Sequence, residues 1–236
     1  MVYARHKVFH GVSVGILMVN SQFRRLPGDV GNATSFSFPV QYKVVEASTP
    51  AKMMDLDGNG LLAPFIEGAC ELAAQGVDGI ATTCGFLALY QDALAQACGI
   101  PVASSSLLQV PWVERLLPPG QQVGVLTFEA KSLTPAHLEA AGVRADIPVQ
   151  GMPADSLFVR SIKEGHPDAD PAVLRDELLD AASQLLTQAP NIGAIVLECT
   201  NMPPFSADIV NQFGLPVFDA VSLINWFHMG LRPRQY

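Results

Sequence analysis

Two stretches of this chain repeat one pattern, and that repeat constrains the fold more than any other feature of the sequence. The first is residues 76–85, GVDGIATTCG, and the second is residues 191–201, NIGAIVLECTN. Each is a short apolar run that ends at a cysteine, Cys84 in one and Cys199 in the other. Flanking motifs recur in the same order, GILMV matching GVLTF upstream and GIPV matching GLPV downstream. Nearly constant offsets of 109 to 115 residues predict two related halves.

Each half alternates strand patterns with helix patterns, which predicts an α/β fold with parallel sheets. The expected architecture is two similar lobes, each a parallel sheet flanked by helices. A pseudo-two-fold axis would relate them, with the active site in the cleft. Residues 118–120, PPG, break the chain between the halves. The last helix should cross back to the other half, so the predicted lobes are residues 1–105 plus 220–236 and residues 106–219.

Apolar periodicity and turn residues predict the individual elements. Strands are expected at 12–19, 42–47, 99–103, 123–128 and 147–151, besides the two that end at cysteines. Helices are expected at 61–75, 86–98, 106–117, 133–141, 171–188 and 221–229, and another after Cys199. The helix at 171–188 has the clearest start, an Asp170 N-cap followed by Pro171. Residues 55–60, DLDGNG, lack the closing glutamate of a calcium loop and are interpreted as a turn.

The composition excludes several classes of function. Apolar residues make up 49% of the chain and charged residues 15%, which suits buried parallel strands. A formal net charge of −8 disfavours nucleic-acid binding, which needs a basic face. No apolar run approaches the roughly 18 residues of a membrane span. Residues 12–19 follow basic residues but precede no small-residue cleavage site, so we expect a cytoplasmic protein rather than a secreted one.

Cys84 and Cys199 are the candidate chemical groups. Four cysteines without close spacing indicate neither a disulfide scaffold nor a zinc site, and Cys70 and Cys98 are interpreted as small buried hydrophobic residues. The repeated cysteines each fall between a strand and a helix, where unpaired N–H groups favour a thiolate. Thiols facing each other across a cleft can remove a proton from one face of a carbon and return one to the other, which inverts the centre.

Three other interpretations remain open at this point. Both cysteines could be buried structural residues, cysteine being among the most buried types. The chain could be a two-lobed small-molecule binding protein without chemistry. The thiols could also form a redox pair, which would require Cα atoms within about 7 Å.

The two cysteine motifs resemble those of the aspartate/glutamate racemase superfamily. The resemblance rests on residues 82–85, TTCG, and 198–203, ECTNMP, and it extends over the whole chain in strand order. The superfamily includes cofactor-independent amino-acid racemases, hydantoin racemases, maleate isomerases and arylmalonate decarboxylases. Residues 23–32, FRRLPGDVGN, are similar to a loop in an uncharacterised branch of it.

The resemblance implies a cofactor-independent racemase or epimerase acting beside a carboxylate or amide carbonyl, with Cys84 and Cys199 as the acid/base pair. A maleate-type isomerase or a decarboxylase is the alternative within the same fold. The implied substrate-binding residues are Asn20, Ser21, Arg25, Thr83, Gly85, Phe86, Thr127, Thr200 and Asn201. Amino-acid racemases tend to place Asn-Thr after the first cysteine. Here Gly-Phe follows, which resembles hydantoin racemases more.

The expected partner is a small carboxylate or hydantoin-like substrate, with no cofactor and no metal. We also expect no nucleic acid, no membrane, and a homodimer or higher homo-oligomer. His137 and His166 are interpreted as surface residues. Asp78 and Glu198 could orient the cysteines, cap loops or face solvent.

Overall fold

The computed structural model describes residue 7, residues 10–54 and residues 60–233. Within these ranges eight strands form two four-stranded sheets in which every pairing is parallel. The first sheet contains β1 (Val14–Val19), β2 (Val40–Val45), β3 (Gly79–Thr82) and β4 (Val102–Ala103). The second contains β5 (Gln122–Thr127), β6 (Val149–Gly151), β7 (Ile192–Leu197) and β8 (Val217–Phe218). The predicted fold class, two parallel sheets flanked by helices, is confirmed.

The strand order is β2-β1-β3-β4 in one sheet and β6-β5-β7-β8 in the other. These orders are identical once the second set is renumbered, so the sequence repeat is also a repeat of topology. The cysteine strands β3 and β7 take equivalent inner positions, and every residue of both is buried. Continuous burial explains why both strands are apolar runs rather than alternating patterns.

Helices connect the strands. In the first half they are α1 (Pro50–Met53), α2 (Leu62–Gln75), α3 (Gln91–Cys98) and α4 (Val110–Glu114). In the second half they are α5 (Pro135–Ala140), α6 (Leu157–Glu164), α7 (Pro171–Gln188), α8 (Ser206–Phe213) and α9 (Ala220–Leu231). Short 3₁₀ turns cover Ala33–Ser35, Gly85–Tyr90, Ser106–Gln109 and Pro203–Phe205.

Local signals explain where the longer helices begin and end. The Asp170 side chain accepts a hydrogen bond from the Ala172 N–H and starts α7 where the sequence predicted. Helix α2 ends at Gly76, whose φ of 99° is one that glycine adopts without a steric cost.

Several predictions of local structure need correction. The helix predicted at 86–98 is divided into a 3₁₀ turn and α3, and helices α1 and α6 were not predicted. Cys70 is exposed rather than buried, whereas His137 is buried against Phe86 instead of lying at the surface. The turn predicted at 55–60 lies outside the described residues except for Gly60, as do residues 1–6 of the predicted first lobe.

The two sheets are held together by one continuous apolar core. It joins residues of the first half, such as Leu87 and Leu107, to residues of the second, such as Val125 and Leu138. The 3₁₀ turn Gly85–Tyr90, which follows Cys84, packs on α5. Within the described ranges, no helix is long and apolar enough to cross a membrane.

Helix α9, the last element of the chain, packs against β3 and β4 of the first sheet. Ala220 and Ile224 are buried in a cluster with Val14, Ile16 and Ala81 of that sheet. This packing is expected of a C-terminal segment that crosses back to the first half of the chain. The exact lobe boundaries at 105, 106, 219 and 220 stay a prediction.

We expect Ile224→Ala to destabilise the protein by about 2–5 kcal/mol, because it leaves a cavity between α9 and the first sheet. Met229→Ala, on the exposed side of the same helix, is the matched control and should change stability by less than about 0.5 kcal/mol. Urea unfolding measures both values. Equal stability of the two variants would show that α9 does not stabilise the sheet.

Candidate active site

Cys84 and Cys199 lie at the carboxyl ends of the equivalent strands β3 and β7. Cys84 has an extended backbone and precedes the 3₁₀ turn, so the N–H groups of Phe86 and Leu87 are directed at its sulfur. The Asn201 N–H makes the equivalent contact with the sulfur of Cys199. Both thiols are free in the structure.

One small cavity of about 50 Å³ has both cysteines in its wall. Its size suits a small ligand rather than a macromolecule. Seven of the nine predicted substrate-binding residues also line it: Ser21, Arg25, Thr83, Gly85, Phe86, Thr200 and Asn201. The structure therefore brings together most of a site whose members are spread over 180 positions of the sequence.

Asn20 and Thr127 do not line this cavity. The Asn20 side chain donates a 3.0 Å hydrogen bond to the Glu46 carboxylate at the surface. The Thr127 hydroxyl is fully buried and donates to the Glu198 carboxylate at 2.7 Å. Both polar groups therefore have protein partners outside the cavity wall, and the substrate contacts expected for Asn20 and Thr127 stay predictions.

The polar side chains beside the cysteines also form hydrogen bonds within the protein. The Thr200 hydroxyl donates to the Thr83 carbonyl at 2.7 Å, and its residue is 2% exposed. The Asn201 amide group donates to Asp29 at 2.7 Å, while its oxygen lies 3.6 Å from the Cys199 sulfur and accepts from the thiol. These contacts orient Cys199 and hold the two cysteine segments against each other.

The loop after β1 closes one side of the cavity. Arg25 donates to Asp29 at 2.8 Å and to the Ser21 hydroxyl at 2.9 Å, and its guanidinium lies 4.5 Å from the centre of the Phe23 ring. Asp29 is 2% exposed and reaches across to Asn201 of the second half. The predicted substrate loop therefore does face the cysteines, but its arginine carries an ion pair already.

Glu198, directly before Cys199, is the acidic group of the site. It is 1% exposed, and its carboxylate is held by the Thr127 hydroxyl and by the Phe128 N–H. A Cβ atom at Gly85 would overlap both a carboxylate oxygen and the carbonyl oxygen of Glu198, so only glycine fits there. Burial raises the pKa of Glu198 to about 7.

The electrostatics oppose ionisation of the thiols in the unliganded site. Burial and the neighbouring Glu198 raise the pKa of Cys84 to about 12, despite the two backbone N–H groups that lower it. The same two causes raise the pKa of Cys199 well above its ordinary value. The N–H groups at the strand ends do lower the pKa of the thiols, as expected from the sequence, but desolvation raises it by more.

The sequence did not identify the remaining wall of the cavity. Phe23, Phe128, Ile162, Met53 and Met54 line it, and Ile162 and Met53 belong to the helices α6 and α1 that were not predicted. Asp78 instead forms an ion pair with Lys7 at 2.6 Å near the start of β3, far along the strand from Cys84. In the described part of the chain, no three His, Cys, Asp or Glu side chains are grouped so that they could hold a metal ion.

The family model of Asp/Glu/hydantoin racemases matches residues 44–227. This chain belongs to that family. Among solved structures, allantoin racemase from Klebsiella pneumoniae aligns with a TM-score of 0.66 at 16% identity, over 94% of this chain and 87% of that one. A mutant of arylmalonate decarboxylase with an associated sulfate ion aligns with a TM-score of 0.64 at 15% identity, over 94% and 97%. At such identities the two structures support the fold alone.

Curated relatives of higher sequence identity have a different name. A dimethylsulfoniopropionate lyase from Durusdinium sp. clade D is 29% identical over 229 residues, which are 92% of this chain and 74% of that protein. Proteins with the same name from Emiliania huxleyi are 25–28% identical, and the chain spans 45–72% of their lengths. The proteins similar to this chain therefore carry the names of lyases as well as those of racemases and decarboxylases.

We expect Glu198→Gln to change how stability depends on pH. A carboxyl with a raised pKa favours the folded state at low pH, and this contribution is lost as pH rises through about 7. Between pH 4.5 and 8, the variant should therefore gain on the order of 3 kcal/mol relative to the native protein. Urea unfolding across this range measures the difference.

Glu129→Gln is the control of opposite sign. Hydrogen bonds from Ser132 and Lys163 lower the pKa of Glu129 below its ordinary value of 4.5, so this variant should lose stability relative to the native protein as pH rises toward 4.5, and then keep a constant offset at higher pH. A constant offset for Glu198→Gln over the same range would contradict the buried, uncompensated carboxyl.

Proposed function

We propose that this chain is a cofactor-independent enzyme in which one thiol of the pair Cys84 and Cys199 removes a proton next to a substrate carboxylate. The observation that carries the proposal is that both thiols lie in the wall of one small cavity. Ser21, Arg25, Thr83, Gly85, Phe86, Thr200 and Asn201 are the proposed substrate contacts. The expected cytoplasmic location and homo-oligomer stay predictions.

We further propose that the reaction is a β-elimination from a sulfonium carboxylate, as in dimethylsulfoniopropionate. A thiolate takes the proton from the carbon next to the carboxylate, and that electron pair forms the new carbon–carbon double bond. The bond from the next carbon to sulfur breaks, and sulfur leaves as neutral dimethyl sulfide, with acrylate as the other product. Support comes from the name shared by the relatives that are 25–29% identical over at least 90% of this chain.

The electrostatics of the site favour a substrate of this kind. A simple carboxylate would add a negative charge beside two thiols and Glu198, and would raise the pKa of the thiols further. A sulfonium brings a positive charge into the cavity instead. It opposes both causes that hold Cys84 and Cys199 protonated, and so favours the thiolate that the reaction needs.

Racemisation or epimerisation is the second candidate function. Its support is the equivalence of the two thiols, each at the end of the same strand of its sheet and both lining the cavity. The first step is identical. Without a leaving group on the neighbouring carbon, the second thiol can return a proton to the opposite face and invert the centre.

The two functions predict different outcomes for Cys84→Ser and Cys199→Ser. If the enzyme is a lyase, the variant that lacks the base should lose about 10²–10⁴-fold in turnover, and the other should lose less. If it is a racemase, both should lose inversion, and each should still exchange the α-proton of one enantiomer, with opposite preferences. Headspace dimethyl sulfide and NMR in D₂O, with chiral acids and hydantoins, measure these outcomes.

Cys70→Ser and Cys98→Ser are the matched controls, since neither residue lines the cavity. Both should keep full turnover. The acid/base role of the thiols would be ruled out if Cys84→Ser and Cys199→Ser each worked at near native rate.

Arg25→Ala should raise KM for a carboxylate substrate, because it removes the positive charge that lines the cavity and releases Asp29. A loss of a charged hydrogen bond is worth about 1.5–3 kcal/mol, or roughly 10- to 100-fold. Arg24→Ala, one position away but exposed and outside this cavity, should leave KM unchanged. Equal kinetics for the two variants would show that Arg25 only braces the loop.

A further inference from the structure

The charges around the cavity do not suit an ordinary anionic ligand. Among the described residues of its wall, Arg25 is the sole cation, and it is paired with Asp29 at 2.8 Å. Glu198 is the sole carboxylate of the same wall, and its hydrogen bonds come from a hydroxyl and a backbone N–H rather than from a cation. Among the described residues of the wall, Arg25 is therefore paired with Asp29, and the carboxylate of Glu198 has no positively charged partner.

The position of Glu198 indicates where a positively charged group of a ligand would lie. The carboxylate lies against Gly85, between the chain segments that carry Cys84 and Cys199, and its charge raises the pKa of both thiols. A cation placed to lower the pKa of either thiol therefore also comes close to Glu198. Arg25 belongs to the loop after β1, where it contacts Ser21 and Asp29. The wall thus carries one cationic and one acidic side chain, on different segments of the chain.

The apolar wall suits a cation of one particular kind. Phe23, Phe86 and Phe128 contribute aromatic rings, and Met53 and Met54 contribute thioether side chains. Aromatic faces attract cations electrostatically, and cations that carry methyl groups also bury apolar surface against them. A strongly hydrated ammonium with three N–H donors would find few acceptors on such a wall. A methylated sulfonium or quaternary ammonium needs none.

We propose that Glu198 is the specificity residue that pairs with a methylated onium group of the ligand, with Phe86 and Phe128 against its methyl groups. The site would then select zwitterions that carry a carboxylate at one end and an onium at the other. This inference rests on the proposed function for the orientation of the ligand. It adds the residue and the class of cation that set the selectivity.

The test compares two ligands of the same shape in the native enzyme. 3-(Trimethylammonio)propionate and 4,4-dimethylpentanoate share a carboxylate, a two-carbon spacer and a trimethyl end, and differ in a single positive charge. Trimethylamine is a poorer leaving group than dimethyl sulfide, and NMR after the experiment checks that the ligand is intact. Isothermal titration calorimetry should show at least about 10-fold tighter binding of the charged ligand. Equal or tighter binding of the neutral ligand would overturn the proposal.

Glu198→Gln keeps the shape and an acceptor for the Thr127 hydroxyl but removes the charge. In this variant, the two ligands should bind within about threefold of each other. Glu114→Gln, whose carboxylate pairs with Arg144 away from the cavity, is the matched control and should keep the native discrimination. A folded Glu198→Gln that kept a 10-fold preference would also overturn the proposal. If it does not fold, the pH dependence of the native preference decides, because protonation of Glu198 should reduce the preference at low pH, whereas a preference due to the aromatic wall alone would not change.

The experiment separates this inference from the proposed function. Release of dimethyl sulfide without any preference between the two ligands would support the lyase and reject the role of Glu198. Preference for the charged ligand without release would support the onium side and reject the elimination.

Discussion

The site depends on the hydrogen bond from the Thr200 hydroxyl to the Thr83 carbonyl. These residues are direct neighbours of Cys199 and Cys84, so the 2.7 Å contact ties together the two strand ends that carry the thiols. The Ser106 hydroxyl adds a second link, donating to the Leu197 carbonyl at 2.6 Å. Both donors are buried, and each hydrogen bond contributes about 0.5–1.5 kcal/mol to stability. The spacing of the thiols is therefore fixed by buried polar contacts, supported by the shared apolar core.

This fixed arrangement of buried groups disfavours the thiolate in the unliganded site. Two buried thiols and a buried carboxyl lie together, and burial favours the neutral form of all three. Strand-end N–H groups alone do not reverse this. A positively charged ligand can reverse this preference for the neutral thiol. Thiolate formation would then be coupled to binding of the correct ligand. Raised thiol pKa values also disfavour oxidation in the unliganded site, because the thiolate is the reactive form.

The repeat made the fold predictable from the sequence, because buried parallel strands are apolar runs and both halves contain them in the same order. It also placed the two cysteines at strand ends. The sequence could not show which polar groups are free for a ligand. Asn20 and Thr127, for example, form hydrogen bonds with Glu46 and Glu198 and do not line the cavity, which the sequence alone does not reveal. Nor could it find the wall contributed by α1 and α6, because these helices span only four and eight residues, fewer than the window of about 11–18 residues in which periodicity identifies a helix.

Under the proposed function, the same thiol pair can support inversion or elimination, and the ligand rather than the fold decides between them. After loss of the α-proton, the electron pair either accepts a proton from the opposite thiol or forms a double bond and expels a group from the neighbouring carbon. An onium is a good leaving group because it departs uncharged. It also favours the thiolate that begins the reaction. A buried acid such as Glu198, which a racemase acting on an anion would have reason to avoid, then becomes useful. Under the proposed function, the charge of the cavity would therefore help to select between racemisation and elimination.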